Sequence, residues 1–329
     1  MQMRDLAREF AIQGHEPVVL VPDESLKEPW ALDTLDGIPV LRLRARPTRD
    51  VSYLWRLVTE FVLPWAMLRG LRKSPYASQR WDAVVWYSPS IFFGPLITRL
   101  KRASRCRSCL ILRDIFPEWA VDLGLLRRGI VYRLLKMIER QQHDAADIIG
   151  IQAPSNRRYL SHLDATRGVP VQVLWNRLAP APNAGCSIDV NRTSLAGRTI
   201  FVYAGNMGVA QGLLVFLDIA VRLRGRGDIG FLFVGRGSEL PRIRAAAGEN
   251  GLENILFYDE VDPGEVPGLL AQCQVGLLAL DPRHKAHNIP GKFLAYIQAG
   301  LPVLAGINAN NDLVGLIEGE GYYEAGKAE

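Results

Sequence analysis

Apolar residues along this chain fall into two rhythms. Short unbroken runs, among them EPVVLVP, GIPVLRLRA, WDAVVWYSP, SCLIL, ADIIGIQA and VQVLWN, read as strands, because a strand covered on both faces has no polar side to alternate with. Helical spacing fills the intervals. Leu6, Phe10 and Ile12 with Ala7 and Ala11 make one apolar face that ends at Gly14, and a further helix is expected over 130–145. After Pro180, Pro182, Asn183 and Gly185 the pattern restarts, with TIFVYAG, GFLFVGRG, NILFYDEV, VGLLALD and AGLPVLAG as strands. Two successive strand-helix series predict an α/β chain of two Rossmann-like, doubly wound domains: 1–178, a linker over 179–197, and 198–329. A doubly wound domain ordinarily opens on a strand and its glycine loop, whereas this chain opens on a helix, so a first strand is expected to be missing before Met1.

Composition narrows the picture. With 329 residues and 48% hydrophobic content the chain can fill two cores. Four cysteines make no disulfide framework, and Cys106 and Cys109 lack the second pair that a zinc site needs, which fits structural thiols in a reducing cytosol. No apolar run reaches the roughly 18 residues of a membrane span. Residues 1–178 carry 27 Lys and Arg against 18 Asp and Glu, a balance of +9, while the remainder carries 12 against 16, a balance of −4. The first half is therefore expected to meet something anionic, either membrane lipid, a phosphorylated acceptor or nucleic acid. No helix-turn-helix, RNP-type strand or zinc-finger spacing accompanies the charge, which argues against nucleic acid.

Candidate chemistry gathers at the strand ends. Residues 201–223, FVYAGNMGVAQGLLVFLDIAVRL, read as a strand that breaks at Gly205, a small-residue loop, and a helix whose first turn begins near Gln211. Without Cβ atoms at Gly205, Gly208 and Gly212, main-chain N–H groups and a helix N-terminus can approach a diphosphate, with Asn206 and Gln211 in the same loop. The spacing matches neither the dinucleotide fingerprint nor the P-loop, and the same glycines would equally serve turn geometry. Arg236 follows the strand GFLFV and could grip two phosphate oxygens in its planar fork, the alternative being a solvated loop arginine. Lys292, at the start of a predicted helix after Pro290 and Gly291, could address the same diphosphate.

His284 and His287 stand three apart with no third ligand at metal spacing, so His287 and Asn288 are read as hydrogen-bonding groups for a sugar or phosphate. The strand SCLIL delivers Arg113, Asp114 and Glu118 to a loop at its carboxyl end, where open α/β sheets bind ligands. Asp114 and Glu118 are the catalytic candidates, able to orient an acceptor hydroxyl or take its proton; the alternative has them capping a helix and pairing with Arg113. No Ser/His/Asp order or activated cysteine supports covalent catalysis. Transfer from a diphosphate leaving group needs only fixed cations and helix N-termini, and no DxD-like acidic motif stands at a strand end, so metal-independent transfer without a cofactor is expected.

Residues 53–73 place Leu54, Leu57, Val58, Phe61, Val62 and Trp65 at helical spacing, closed by Arg69, Arg72 and Lys73, with Pro64 expected to kink the helix. Rings at headgroup depth and terminal cations suit an interfacial helix; the same stripe suits an ordinary core helix.

Four segments, YAGNMGVAQG, FVGRGSEL, HNIPGKFLAYIQAGLPVLAGINANNDL and LRDIFPEWAVDLGLL, resemble the retaining glycosyltransferases of family 4, and within them the L-fucosamine transferases of bacterial O-antigen and capsule clusters. The resemblance covers nearly the whole chain, with KFLAYIQAGLPVLA and RDIFPEW its specific parts. It implies a GT-B fold with two domains facing a cleft, a UDP-linked donor such as UDP-N-acetyl-L-fucosamine, and an undecaprenyl-diphosphate-linked saccharide acceptor. It also implies cytoplasmic placement, peripheral on the inner face of the bacterial inner membrane, with the basic first domain against the lipid surface. By position, Lys292 looks like the basic residue of the diphosphate site and Gly205 to Gly208 like the glycine turn, while Asp114 lies near the loop flanking the reacting sugar. The pattern departs from the family at His287 and Ala295, where many members carry glutamates. It departs again at Gln211, near where many carry lysine, leaving Arg236 and Lys292 to carry more of the phosphate charge. A member would also extend beyond both ends of this sequence. Two other readings stand beside transfer: a nucleotide-sugar 2-epimerase of the same fold, and a catalytically silent relative that binds a membrane partner.

Overall fold

The computed structural model describes residues 2–48, 51–88, 90–161, 168–176, 183–283, 289–308 and 311–319. The chain divides into two units, Met1–Trp175 and Asn176–Glu329.

In the first unit, α1 (Gln2–Ile12) is followed by β1 (Val19–Asp23), β2 (Trp30–Leu35) and β3 (Ile38–Arg44), which form a sheet in the order β1-β3-β2. β1 runs parallel to β3 and β2 antiparallel to it. The hairpin turns on Asp36 and Gly37, both at positive φ (54° and 79°), as a two-residue type I′ connection requires. α2 (Tyr53–Leu71) follows, continuous through Pro64, with the Ser52 hydroxyl accepting the Trp55 N–H at 3.4 Å. A parallel sheet in the order β4-β5-β6-β7 completes the unit, from β4 (Ala83–Ser88), β5 (Arg107–Leu112), β6 (Ile148–Ile151) and β7 (Val171–Val173). Its connections include α3 (Gly94–Ser104), α4 (Glu118–Asp122) and α5 (Ile130–Asp144). Leu41 and Leu43 of β3 share one core with Leu63, Met67, Leu68 and Leu71 of α2 and Leu96 of α3.

The second unit is built on a five-stranded parallel sheet in the order β10-β9-β8-β11-β12. Its strands are β8 (Thr199–Ala204), β9 (Ile229–Val234), β10 (Ile255–Tyr258), β11 (Val275–Ala279) and β12 (Val303–Gly306). Strand order reverses between β8 and β11, and the crevice outside their carboxyl ends is where such sheets bind ligands. Successive residues alternate faces, which explains the unbroken apolar runs. Tyr203, Phe231 and Phe233 pack on one side with Phe216 and Leu217 of α6 (Leu214–Arg222) and Ile243 of α7 (Leu240–Glu249). Ile200, Val202, Leu232 and Val234 pack on the other with Leu269 and Leu270 of α8 (Val266–Leu270) and Tyr296 of α9 (Gly291–Gln298). The segment expected to be a linker contributes Ile188, Val190 and Leu195 to this second core, so those residues belong to the unit and do not merely lead into it. The described chain ends in α10 (Asp312–Gly319).

Candidate functional site

At the switch point the chain leaves β8 through Gly205, whose φ of 133° favours glycine. The Gly205 N–H donates to Val234 O (2.8 Å), the Met207 N–H to Arg236 O (2.7 Å), and the Glu239 N–H to Met207 O (2.9 Å), so the loops after β8 and β9 are stitched together. They also touch directly. A Cβ on Gly235, itself at φ 140°, would lie 2.1 Å from Gly205 O.

The helix does not start near Gln211 as the sequence suggests. A 3-10 turn, Val209–Gln211, comes first; Gly212 adopts φ 56°, and α6 begins at Leu214. The Gln211 side chain folds back into the loop, its Oε1 accepting from the Gly208 N–H (2.9 Å) and from Asn206 Nδ2 (3.1 Å). Gln211 thereby organises the loop. The main-chain N–H groups of Asn206, Val209 and Ala210 take no partner among the described residues and are the donors left for an anion.

Lys292, in the first turn of α9, lies against this loop. A Cβ on Gly205 would stand 2.8 Å from Lys292 Cε and 3.2 Å from its Nζ, so the glycine makes room for the amine. The amine also sits 4.9 Å from the centre of the Tyr203 ring. No carboxylate pairs with it among the described residues. Burial without a counter-ion pushes the Lys292 pKa down to about 8. The side chain nonetheless keeps an accessible edge. Tyr203 serves both halves of the site: its ring faces the amine and its hydroxyl donates to Asn206 O at 2.6 Å. Beneath, the Tyr296 hydroxyl accepts from the Ala204 N–H (3.4 Å) and lies 3.1 Å from Leu277 O, fixing α9 to the ends of β8 and β11. Neither tyrosine is evident as a site residue in the sequence; the available signal is Tyr203 standing two residues before the glycine where the strand breaks.

Gly205, Asn206, Gly208, Gln211 and Lys292 thus come together. Arg236 adjoins them through its carbonyl, while its exposed guanidinium pairs with Glu260 at 3.0 Å. His287 and Asn288 lie outside the described residues. Among the described residues no three His, Cys, Asp or Glu side chains converge as a metal site would need.

The first-unit candidates differ from each other. Asp114, just past β5, is largely buried, and desolvation raises its pKa against the opposing pull of Arg113 and Arg56. Its carboxyl makes no hydrogen bond among the described residues, a state in which it can accept or hold a proton. Glu118 opens α4 but is committed elsewhere: its Oε1 accepts from the Tyr132 hydroxyl (2.9 Å) and pairs with Lys136 Nζ (3.1 Å). Lys136 also pairs closely with Glu139, and both carboxylates keep the lysine charged. Burial raises the Glu139 pKa to about 7.

A raised folded-state pKa means that the stability linked to Glu139 is fully present below its unfolded value of 4.5 and is lost as pH rises through about 7. Glu139→Gln is therefore expected to flatten the fall in thermal stability between pH 5 and pH 8. Melting curves across that range check this; an unchanged slope would place the titration elsewhere.

Chemically, the second-unit arrangement offers one buried cation and three open amides to an anion, and the first unit offers one protonatable carboxyl. A glycosyl transferase 4-like domain profile matches residues 1–182. A protein of Escherichia coli K12 named for colanic acid biosynthesis, the glycosyl transferase WcaI, is 28% identical over 204 residues, 59% of this chain and 50% of that protein. The chain thus spans about half the length of the curated relative that it matches. Among solved structures, the UDP-forming trehalose-phosphate synthase of Burkholderia xenovorans superposes with a TM-score of 0.67 at 12% identity, covering 95% of this chain and 83% of that one. Anabaena HepE in complex with UDP and glucose gives 0.58 at 13% identity, covering 86% and 76%. The shared architecture is GT-B. With its profile match running through more than half of the sequence, the chain belongs to the glycosyl transferase 4-like family.

Proposed function

We propose that this chain transfers a sugar, N-acetyl-L-fucosamine or a related amino sugar, from a UDP-linked donor to a hydroxyl of an undecaprenyl-diphosphate-linked saccharide. The transfer retains anomeric configuration and serves O-antigen, capsule or exopolysaccharide assembly. The observation that carries the donor assignment is Lys292, a largely buried amine with no carboxylate partner among the described residues, set against the glycine loop. A cation held out of water without a counter-ion stabilises a ligand that supplies one, and a diphosphate does so while the open amides of Asn206, Val209 and Ala210 bind its oxygens. The names of the solved neighbours, which include complexes with UDP, and the polysaccharide context of WcaI agree with this class.

In the reaction the bond from the sugar C1 to the β-phosphate oxygen breaks and a bond from C1 to the acceptor oxygen forms. The hydroxyl proton passes to the departing phosphate, which Lys292 and the loop amides stabilise as it takes up charge. Asp114 is assigned to orienting the acceptor hydroxyl, and Glu118, which Lys136 and Tyr132 hold, to positioning the segment that carries it. Arg236 is assigned to the outer phosphate region, exchanging Glu260 for the ligand. His287 and Asn288 are assigned to the sugar, and no metal or cofactor is required. The protein works at the cytoplasmic face of the inner membrane as a peripheral protein; among the described residues no helix is long and apolar enough to cross a membrane.

Incubation of membranes with a panel of UDP-sugars, followed by mass analysis of extracted lipid-linked product, tests this reading. A mass gain of one amino sugar with release of UDP is expected. Conversion of the free nucleotide sugar with no lipid-linked product would instead establish the epimerase.

A further inference from the structure

Helix α5 departs from the ordinary pattern of a surface helix. Glu139 (3% exposed) and the fully buried Gln142 and His143 turn inward beside Leu135, while Ile130 (87%), Leu134 (51%) and Met137 (61%) face outward among Arg133 and Arg140. These three recur at i, i+4 and i+7, one stripe along the helix. α2 shows the same display. Trp55, Val58, Phe61 and Trp65 are each about half exposed, while Leu63, Met67 and Leu68 of the same helix are buried. Both stripes border one cluster, in which Ile91, Phe92 and Leu135 pack with Leu57 of α2 and Ile138 of α5, and the Phe61 ring meets Phe92 edge-on at 6.0 Å. The two helices thus flank one cluster.

Exposed cations accompany both stripes. Arg127, Arg128, Arg133 and Arg140 are exposed around α5, and Arg69, Arg72 and Lys73 at the end of α2. The nearby acids count for less: Glu60 is paired with Arg56, and Asp122 and Asp144 sit at helix ends. A second copy of this chain would bring arginine against arginine. An anionic lipid surface satisfies both features at once, taking indole and aliphatic side chains at headgroup depth and guanidinium groups against phosphate.

We propose that α2 and α5 together seat the first unit on an anionic bilayer. This rests on the lipid-linked acceptor proposed above for its purpose, and on the two stripes for its evidence. The inward side of α5 explains how seating would matter. Gln142 donates to Ser88 Oγ (2.8 Å) and accepts the Phe93 N–H (3.1 Å), bracing the loop after β4. Lys136 and Tyr132 hold Glu118 beyond β5, in the segment that carries Asp114. The helix that meets lipid is thus the helix that supports the loops assigned to the acceptor.

Flotation of the full chain with vesicles of phosphatidylcholine, alone or with about one-third phosphatidylglycerol, tests the proposal. Partition is expected to be at least about 10-fold stronger on the anionic vesicles and to fall about 10-fold in either Trp55→Ser/Trp65→Ser or Leu134→Ser/Met137→Ser. Both pairs replace exposed side chains, and unchanged melting temperature and UDP affinity confirm that the variants fold. The proposal is overturned if the α5 pair partitions like the parent, if neutral vesicles bind equally well, or if sedimentation shows a dimer that the same substitutions dissociate. Intact partition in a protein that fails to bind UDP would support this surface while refuting the donor assignment.

Discussion

Replacing Lys292 by methionine is expected to lower UDP affinity about 30- to 100-fold while raising the stability of the free protein. The first effect follows from losing a charge-assisted contact to a diphosphate in a largely buried setting, about 2–3 kcal/mol. The second follows from the same burial. A folded-state pKa of about 8 against 10.5 means that the unfolded chain holds the proton more tightly, so below pH 8 this lysine costs about 3 kcal/mol of stability. The cost disappears as pH rises from about 8 to above 10.5. Ligand binding should run the other way, weakening above about pH 8 because Lys292 must then take up a proton as the diphosphate binds. Calorimetry in buffers of different ionisation enthalpy, together with thermal melts, measures both effects. A methionine variant that loses stability at pH 7 would mean that the amine has a counter-ion after all.

Gly235→Ala is expected to cost about 3 kcal/mol or more and to remove UDP binding even where the protein stays folded. The new methyl would stand 2.1 Å from Gly205 O, at a φ of 140° that a side chain rarely tolerates. Relief requires the loop after β8 to move, and that loop sets the amides beside Lys292. Substitution of Gly225, where an added Cβ meets nothing, provides the control and should leave binding intact. Equal affinity in the two variants would show that the junction of the loops does not shape the site.

Much of the second unit is legible in the sequence because its strands are covered on both faces, so TIFVYA, IGFLFV and VGLLA stand out as unbroken apolar runs. The half-exposed β2 carries Asp33 and Thr34 and has no such run; its only signal is the Asp36-Gly37 turn. α3 is obscured by the Gly94-Pro95 start, which reads as a turn although proline suits a helix's first turn. Gly212, taken as part of a cradle, instead separates the 3-10 turn from α6.

At the site, residue types point to Lys292, but its character depends on tertiary neighbours. The Tyr203 ring lies 89 positions away in the sequence, and only folding brings it beneath the amine. Glu118 shows the opposite case. A carboxylate at a strand end reads as catalytic until Lys136, on another helix, is seen to hold it. Nor does the apolar pattern of 130–144 reveal which residues are buried: Glu139, paired with Lys136, turns inward with Gln142 and His143 beside Leu135, while Ile130, Leu134 and Met137 stay outside.

The most direct test compares the binding of UDP, UMP and uridine to the unmodified chain by calorimetry at pH 7. If the second unit holds its donor through the diphosphate, UDP should bind at least about 30-fold more tightly than UMP, and uridine more weakly still. Equal affinity for UDP and UMP would contradict the assignment of Lys292 and the Gly205 loop.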